Sequence, residues 1–288
     1  MDLGLGLPQF GSLADPAAVR TVSLEAERLG YSSLWALDRP LASGAALDPI
    51  VALTMAASVT ERIRIGTDAL IGPLYSPLLL ARTAASLDRL SDGRFTLGLG
   101  LGASSADYAA VGVPSNNLQA RIEQMLEVMA RVWRDEIVEI ETTREQIPPT
   151  AIAPKPRGRR VPLLLAEHTP AGLERIARRA DGWATSGLPT AEMVAKWAEI
   201  RRIAAQYGRD PESLRLVVRA DVKLSITGLG GHRREFVGSI AQVRDDIERI
   251  REAGAHELIL DLHSTASTAS GLLDLAGTLD RGRQLCAA

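Results

Sequence analysis

Apolar positions along the chain alternate between two periods. Short runs of near-continuous apolarity are followed by stretches in which apolar residues recur every three or four, the signatures of buried strands and amphipathic helices. Leu3 to Leu7 is the first strand, halted by Pro8. Asp15-Pro16 opens a helix with Val19, Val22, Ala26 and Leu29 on one face, and Gly30 ends it. Ser32 to Leu37 is the second strand, followed by a helix from Asp48-Pro49 to about Val59. Ile63 to Thr67 and Arg94 to Gly100 are strands three and four, with an apolar helix closing near Leu90 between them. Leu118, Ile122, Met125, Met129 and Val132 form the stripe of a fourth helix.

The rhythm breaks between Ile137 and Arg160, where Pro148-Pro149 and Pro154-Lys155-Pro156 predict an extended excursion with a short hairpin. It then resumes. Val161 to Ala166, Trp183 to Ser186, Leu214 to Leu224 and Glu257 to Leu262 are strands, each followed by a helical stripe, the last through Leu272, Leu275 and Leu279. Strand–helix alternation predicts a parallel sheet, because parallel neighbours need a covering crossover. Eight such units in 288 residues favour one α/β domain over the whole chain, a closed (β/α)8 TIM barrel with an insertion at about 137–160. A doubly wound sheet is the alternative.

In a barrel, chemistry sits where strands end and βα loops begin. That places Pro8 to Phe10, Asp38-Arg39, Asp68 to Ile71, Gly102 to Asp107, Glu167 to Thr169, Ser186-Gly187, the 225–238 loop and His263 at the functional rim. Gly6 and Leu7 close the first strand beside it. Thr169-Pro170 is a helix start whose free N–H groups favour an anion. Gly98-Leu99-Gly100-Leu101-Gly102-Ala103 fits a loose dinucleotide fingerprint. That fingerprint needs a helix directly afterwards. Ser104 to Asn117 is polar and broken by Gly112 and Pro114, so no prompt helix is expected, and Glu123 falls within a helical stripe.

Composition narrows the function. A net charge of −2 gives no electrostatic reason to bind nucleic acid or an anionic membrane. Cys286, the sole cysteine, permits no intrachain disulfide, and no Cys/His spacing suits a metal. MDLGLGLPQF lacks a basic signal-peptide start, and no apolar run approaches the ~20 residues of a membrane span, so a cytoplasmic protein is expected.

Several segments, in order, resemble the bacterial luciferase-like monooxygenase superfamily, with its F420-dependent oxidoreductase branch. They are Ala26 to Trp35, Arg62 to Thr67, Leu87 to Arg94 with Leu97 to Gly100, Ala177 to Trp183, and Glu252 to Gly254. The resemblance implies a TIM barrel holding F420 or FMN at the rim, with a cis non-proline peptide at Asp68-Ala69 behind the ring. It implies cofactor contacts from Gly6, Leu7, Asp38, Asp68, Ala69, Gly102, Glu167, His168, Thr169, Ser186 and Gly187. Two departures stand out: Arg39 occupies the place of a family histidine, and Ala166-Glu167 that of a glycine pair. Asp38 and Arg39 are the catalytic candidates. The expected reaction is hydride transfer between F420 and a small organic substrate. The alternatives are a two-component monooxygenase using FMNH2 and O2, and a flavin or deazaflavin carrier without turnover. A homodimer and a reductase that supplies reduced cofactor are the expected partners.

Overall fold

The computed structural model describes residues 1–280 other than Ala103, Thr143 and His232. The expectations placed on Ala103 and Cys286 lie outside the described residues. Eight parallel strands form the barrel: β1 (Asp2–Gly6), β2 (Ser33–Ala36), β3 (Arg64–Thr67), β4 (Phe95–Gly100), β5 (Leu163–Ala166), β6 (Gly182–Ser186), β7 (Arg215–Asp221) and β8 (Glu257–Asp261). Their order is β3-β2-β1-β8-β7-β6-β5-β4, and pairing of β3 with β4 closes the ring. Leu70–Ile71 continues the third position beside β4. The helices are α1 (Pro16–Arg28), α2 (Pro49–Val59), α3 (Pro77–Leu90), α4 (Leu118–Arg134), α5 (Pro170–Arg179), α6 (Thr190–Gln206), α7 (Ile240–Glu252) and α8 (Ala269–Asp280). The TIM barrel read from the alternation is therefore present, and the sheet is closed rather than doubly wound.

Local chemistry explains the boundaries. Asp15, Asp48, Ser76 and Thr169 each cap a helix that begins with proline. The excursion after α4 carries the expected hairpin, Val138–Glu141 against Gln146–Thr150. Two readings need correction. A short helix, Ser105–Ala110, starts promptly after β4, capped by Ser104. The seventh strand ends at Asp221, and Lys223–Leu224 leaves the barrel to pair with Val237–Gly238.

The core has two layers. Leu3, Leu5, Ile65, Leu97 and Leu165 face outward onto the helices, while Trp35, Leu164, Ala184, Val217 and Ile259 fill the barrel interior. The Trp35 ring fits because Gly66 faces it: a Cβ there would lie 2.4 Å from Trp35 Cζ3. The recurrent segments noted in the sequence act as scaffold. Glu27 accepts from the backbone N–H of Arg62 and Ile63, at 2.6 and 2.8 Å. Asp88 accepts from Arg157 N at 2.7 Å, and Asp181 from Leu163 N at 2.8 Å. These bonds fix helix ends to strand starts and to the turn at Arg157–Arg159 before β5, at the end of the barrel opposite the rim.

Candidate active site

A cleft of about 850 Å³ opens at the carboxyl ends of the strands. Its floor includes Ala69, Gly100, Ala166 and Ala184. Small residues there leave room for a flat ligand against the backbone. A Cβ on Gly100 would stand 3.2 Å from Ala166 O and 3.8 Å from Ala69 Cβ. The Asp68-Ala69 peptide is cis, as the resemblance implies, and both residues line the cleft. Gly102 holds a φ of 66° beside Ile71, where a side chain would be strained.

Asp38 sits at the cleft edge. Its Oδ2 accepts from Ile71 N at 3.0 Å and from the Tyr75 hydroxyl at 2.9 Å. Burial pushes its carboxyl above the usual carboxylate range, against those two bonds. Arg39 is exposed at the mouth, its guanidinium 4.8 Å over the Phe10 ring. Asp68 is buried, and Arg219 Nε stands 3.3 Å from its Oδ2. Burial raises the Asp68 carboxyl to about 6 despite the Arg219 charge. Arg219 also reaches Asp221 at 2.9 Å, Asp261 at 3.0 Å and Ser186 Oγ at 3.3 Å. Burial alone would raise the Asp261 carboxyl, yet the His263 hydrogen bond and the charges of His263 and Arg219 hold it below its ordinary range.

On the far wall, Thr169 Oγ1 accepts from Gly172 N at 3.2 Å, and its own O–H proton is available to an oxyanion. His168 Nε2 lies 3.1 Å from Thr185 Oγ1, and burial lowers its basicity. Glu167 does something else. Both its oxygens lie 2.6 Å from Arg175 Nη1, and Arg175 also reaches Glu123 Oε1 at 2.8 Å and Gln119 Oε1 at 2.7 Å. This buried network holds the α4 and α5 starts together, so the Glu167 carboxylate is neutralised rather than free for a ligand.

The cleft thus brings together Asp38, Arg39, Asp68, Ala69, Gly102, Glu167, His168, Thr169 and Ser186. It does not include Gly6, Leu7 or Gly187. The His263 ring covers the first two: Leu7 O lies 2.7 Å from His263 Nε2, and a Gly6 Cβ would be 3.3 Å from Cε1. Gly187 lines an adjoining compartment of about 230 Å³ with Arg233 and Arg234. Sequence reasoning missed Arg219, Tyr75 and Thr185. Arg219 left one signal, a charge at a barrel-facing position inside the apolar run Leu214 to Val222.

The barrel, the cis Asp68-Ala69 rim and the open cleft define an α/β-barrel protein with a rim site, and residues 4–227 match the profile of the luciferase-like monooxygenase family. The chain belongs to that family. The F420-dependent glucose-6-phosphate dehydrogenase of Kineococcus radiotolerans is 28% identical over 194 residues, covering 64% of this chain and 57% of the relative. The 4-hydroxyprotoasukamycin monooxygenase of Streptomyces nodosus subsp. asukaensis is 27% identical over 211 residues, covering 70% and 55%. The matched stretches reach no more than 62% of the length of these and other curated relatives. The crystal structure of the monooxygenase RslO1 from Streptomyces bottropensis superposes with a TM-score of 0.83 at 22% identity, over 99% of this chain and 100% of that one. Among the described residues no helix is long and apolar enough to cross a membrane.

Proposed function

We propose that this chain is an oxidoreductase exchanging hydride between coenzyme F420 and a small organic substrate held in the rim cleft. The observation that carries the reading is the small-residue floor of Ala69, Gly100, Ala166 and Ala184 with the half-buried Asp38 carboxyl at its edge. The F420 dependence of the Kineococcus relative supports the choice of cofactor.

The residues fit such a group. The floor accepts a flat ring, and the Thr169 and Ser186 hydroxyls supply donors for an oxyanion. When bound, F420 supplies hydride exchange at its ring. The protein orients the reactants, excludes water and handles the proton. Asp38 Oδ2 is engaged by Ile71 and Tyr75, so Oδ1 is the oxygen that exchanges a proton with a substrate oxygen. Burial raises the proton affinity of this carboxyl, which suits a proton donor in carbonyl reduction: carbon gains the hydride, and oxygen takes the Asp38 proton. Arg39 polarises or binds a substrate oxygen at the mouth.

A second reading, an FMN-dependent monooxygenase served by a reductase, is favoured by the match to the Streptomyces nodosus enzyme. One experiment separates the two. The protein is incubated with reduced F420 and a panel of small carbonyl compounds under nitrogen, and with reduced FMN in air. Substrate-dependent return of oxidised F420 absorbance is expected. Oxygen uptake with reduced FMN, and no F420 turnover with any compound, would overturn the first reading in favour of the second.

A further inference from the structure

At the opposite end of the barrel from the rim cleft lies a separate cavity of about 490 Å³. Its inner wall is apolar, formed by Trp35, Phe95, Leu164 and Val217, and its mouth is ringed by Arg64, Arg94, Arg157, Arg160 and Arg215. One layer of side chains separates it from the cleft: Trp35, Leu164 and Val217 pack with Ala184, which belongs to the cleft floor.

Part of the ring is structural. Glu257 accepts from Trp35 Nε1 at 2.8 Å, Arg64 Nη2 at 2.9 Å and Arg215 Nη2 at 3.1 Å, while Asp2 takes Arg64 at 2.8 Å. Arg94 donates to the carbonyls of Ala57, Thr60 and Ile63. An ion network that only stabilised this face would need neither an open space of this size nor Arg157 and Arg160, whose side chains are 51% and 59% exposed. Those two contact Asp92 and Asp181 through a single terminal nitrogen each. The acid contacts of Arg157, Arg160, Arg215 and Arg64 run through one terminal nitrogen of each: Nη1, Nη2, Nη2 and Nη2. Asp181 and Glu257 are the carboxylates that line the cavity with these five arginines, and Asp2, Asp88 and Asp92 contact the ring from outside that lining. Guanidinium edges left open around an apolar pocket match a carboxylate on an apolar body, held bidentately.

We infer that the amino-terminal mouth of the barrel is a second binding site, for a small organic carboxylate with an apolar body. The carboxylate meets Arg157, Arg160 and Arg215, and the body enters toward Leu164 and Val217. Arg157 is held through its backbone N to Asp88, so its side chain can be changed without losing that anchor.

The test is calorimetric titration of the whole protein with benzoate and, separately, with inorganic phosphate, for wild type, Arg157→Gln/Arg160→Gln and the control Arg202→Gln on the outer face of α6. Saturable benzoate binding is expected, tighter than phosphate. It should weaken about tenfold or more in the double variant, be unchanged in the control, and fall as salt rises. Thermal unfolding confirms that the double variant folds, and its cofactor titration at the rim should match wild type. No saturable benzoate binding, equal affinity in the double variant, or benzoate no tighter than phosphate would overturn the proposal.

Discussion

Arg219 on β7 lies 3.3 Å from the Asp68 carboxylate at the end of β3, across the mouth of the barrel. One guanidinium therefore serves Asp68, Asp221 and Asp261 together, and the carboxylates outnumber it. Burial accordingly outweighs the attraction at Asp68, and its carboxyl rises from 3.8 to about 6.

A carboxyl that holds its proton more tightly when folded stabilises the fold fully below about pH 4 and loses that contribution as pH rises through about 6. Urea unfolding of wild type between pH 4 and 7 should show a decline on the order of 3 kcal/mol from this group. Asp68→Asn should remove that slope. Parallel pH curves for the two proteins would refute the assignment.

Tyr75→Phe removes one of the two hydrogen bonds that stabilise ionised Asp38. The Asp38 carboxyl should rise further. In a pH profile of substrate reduction, the limb on which activity is lost by deprotonation should move to higher pH, with cofactor affinity unchanged. An unmoved limb would remove Asp38 from the proton step.

Arg175 and Glu167 are each 3% exposed, so Arg175→Met leaves a buried carboxylate alone. That should cost about 3–5 kcal/mol in urea unfolding. Adding Glu167→Gln should recover much of it, because the uncompensated charge is gone. A double variant no better than the single would mean that packing, not charge, dominates there.

Thr169→Val should weaken cofactor binding by about 1–3 kcal/mol if its hydroxyl donates to an oxyanion. It also removes the α5 cap, at about 1 kcal/mol of stability. Thr169→Ser should restore both. Normal affinity in a destabilised Val variant would leave Thr169 as a cap alone.

Much of the barrel was legible because each βα unit carries its own period and its own punctuation. Thr169-Pro170 and Gly30 mark helix ends through strictly local chemistry, and the structure has both. The helix Ser105–Ala110 escaped because six residues are too few to display a period. The seventh strand was read too long because Val222 to Leu224 continues its pattern, yet Val222 N bonds to Asp261 O before the chain turns aside to pair with Val237–Gly238. The site was legible by position but not by partnership. The rim rule found Asp38, Asp68 and Glu167, but Arg219 and Arg175 reach them across 151 and 8 residues, respectively, and no local pattern encodes such pairings. Gly6 and Leu7 were placed at the rim by strand position, and only the later-arriving His263 ring decides that they are covered.

The central claim is that the rim cleft holds a deazaflavin. Equilibrium titration of the purified protein with F420 and with FMN, followed by fluorescence quenching, tests it most directly. Saturable F420 binding, weakened in Thr169→Val and clearly tighter than FMN, is the predicted result. FMN binding without F420 binding, or binding of neither, would contradict it.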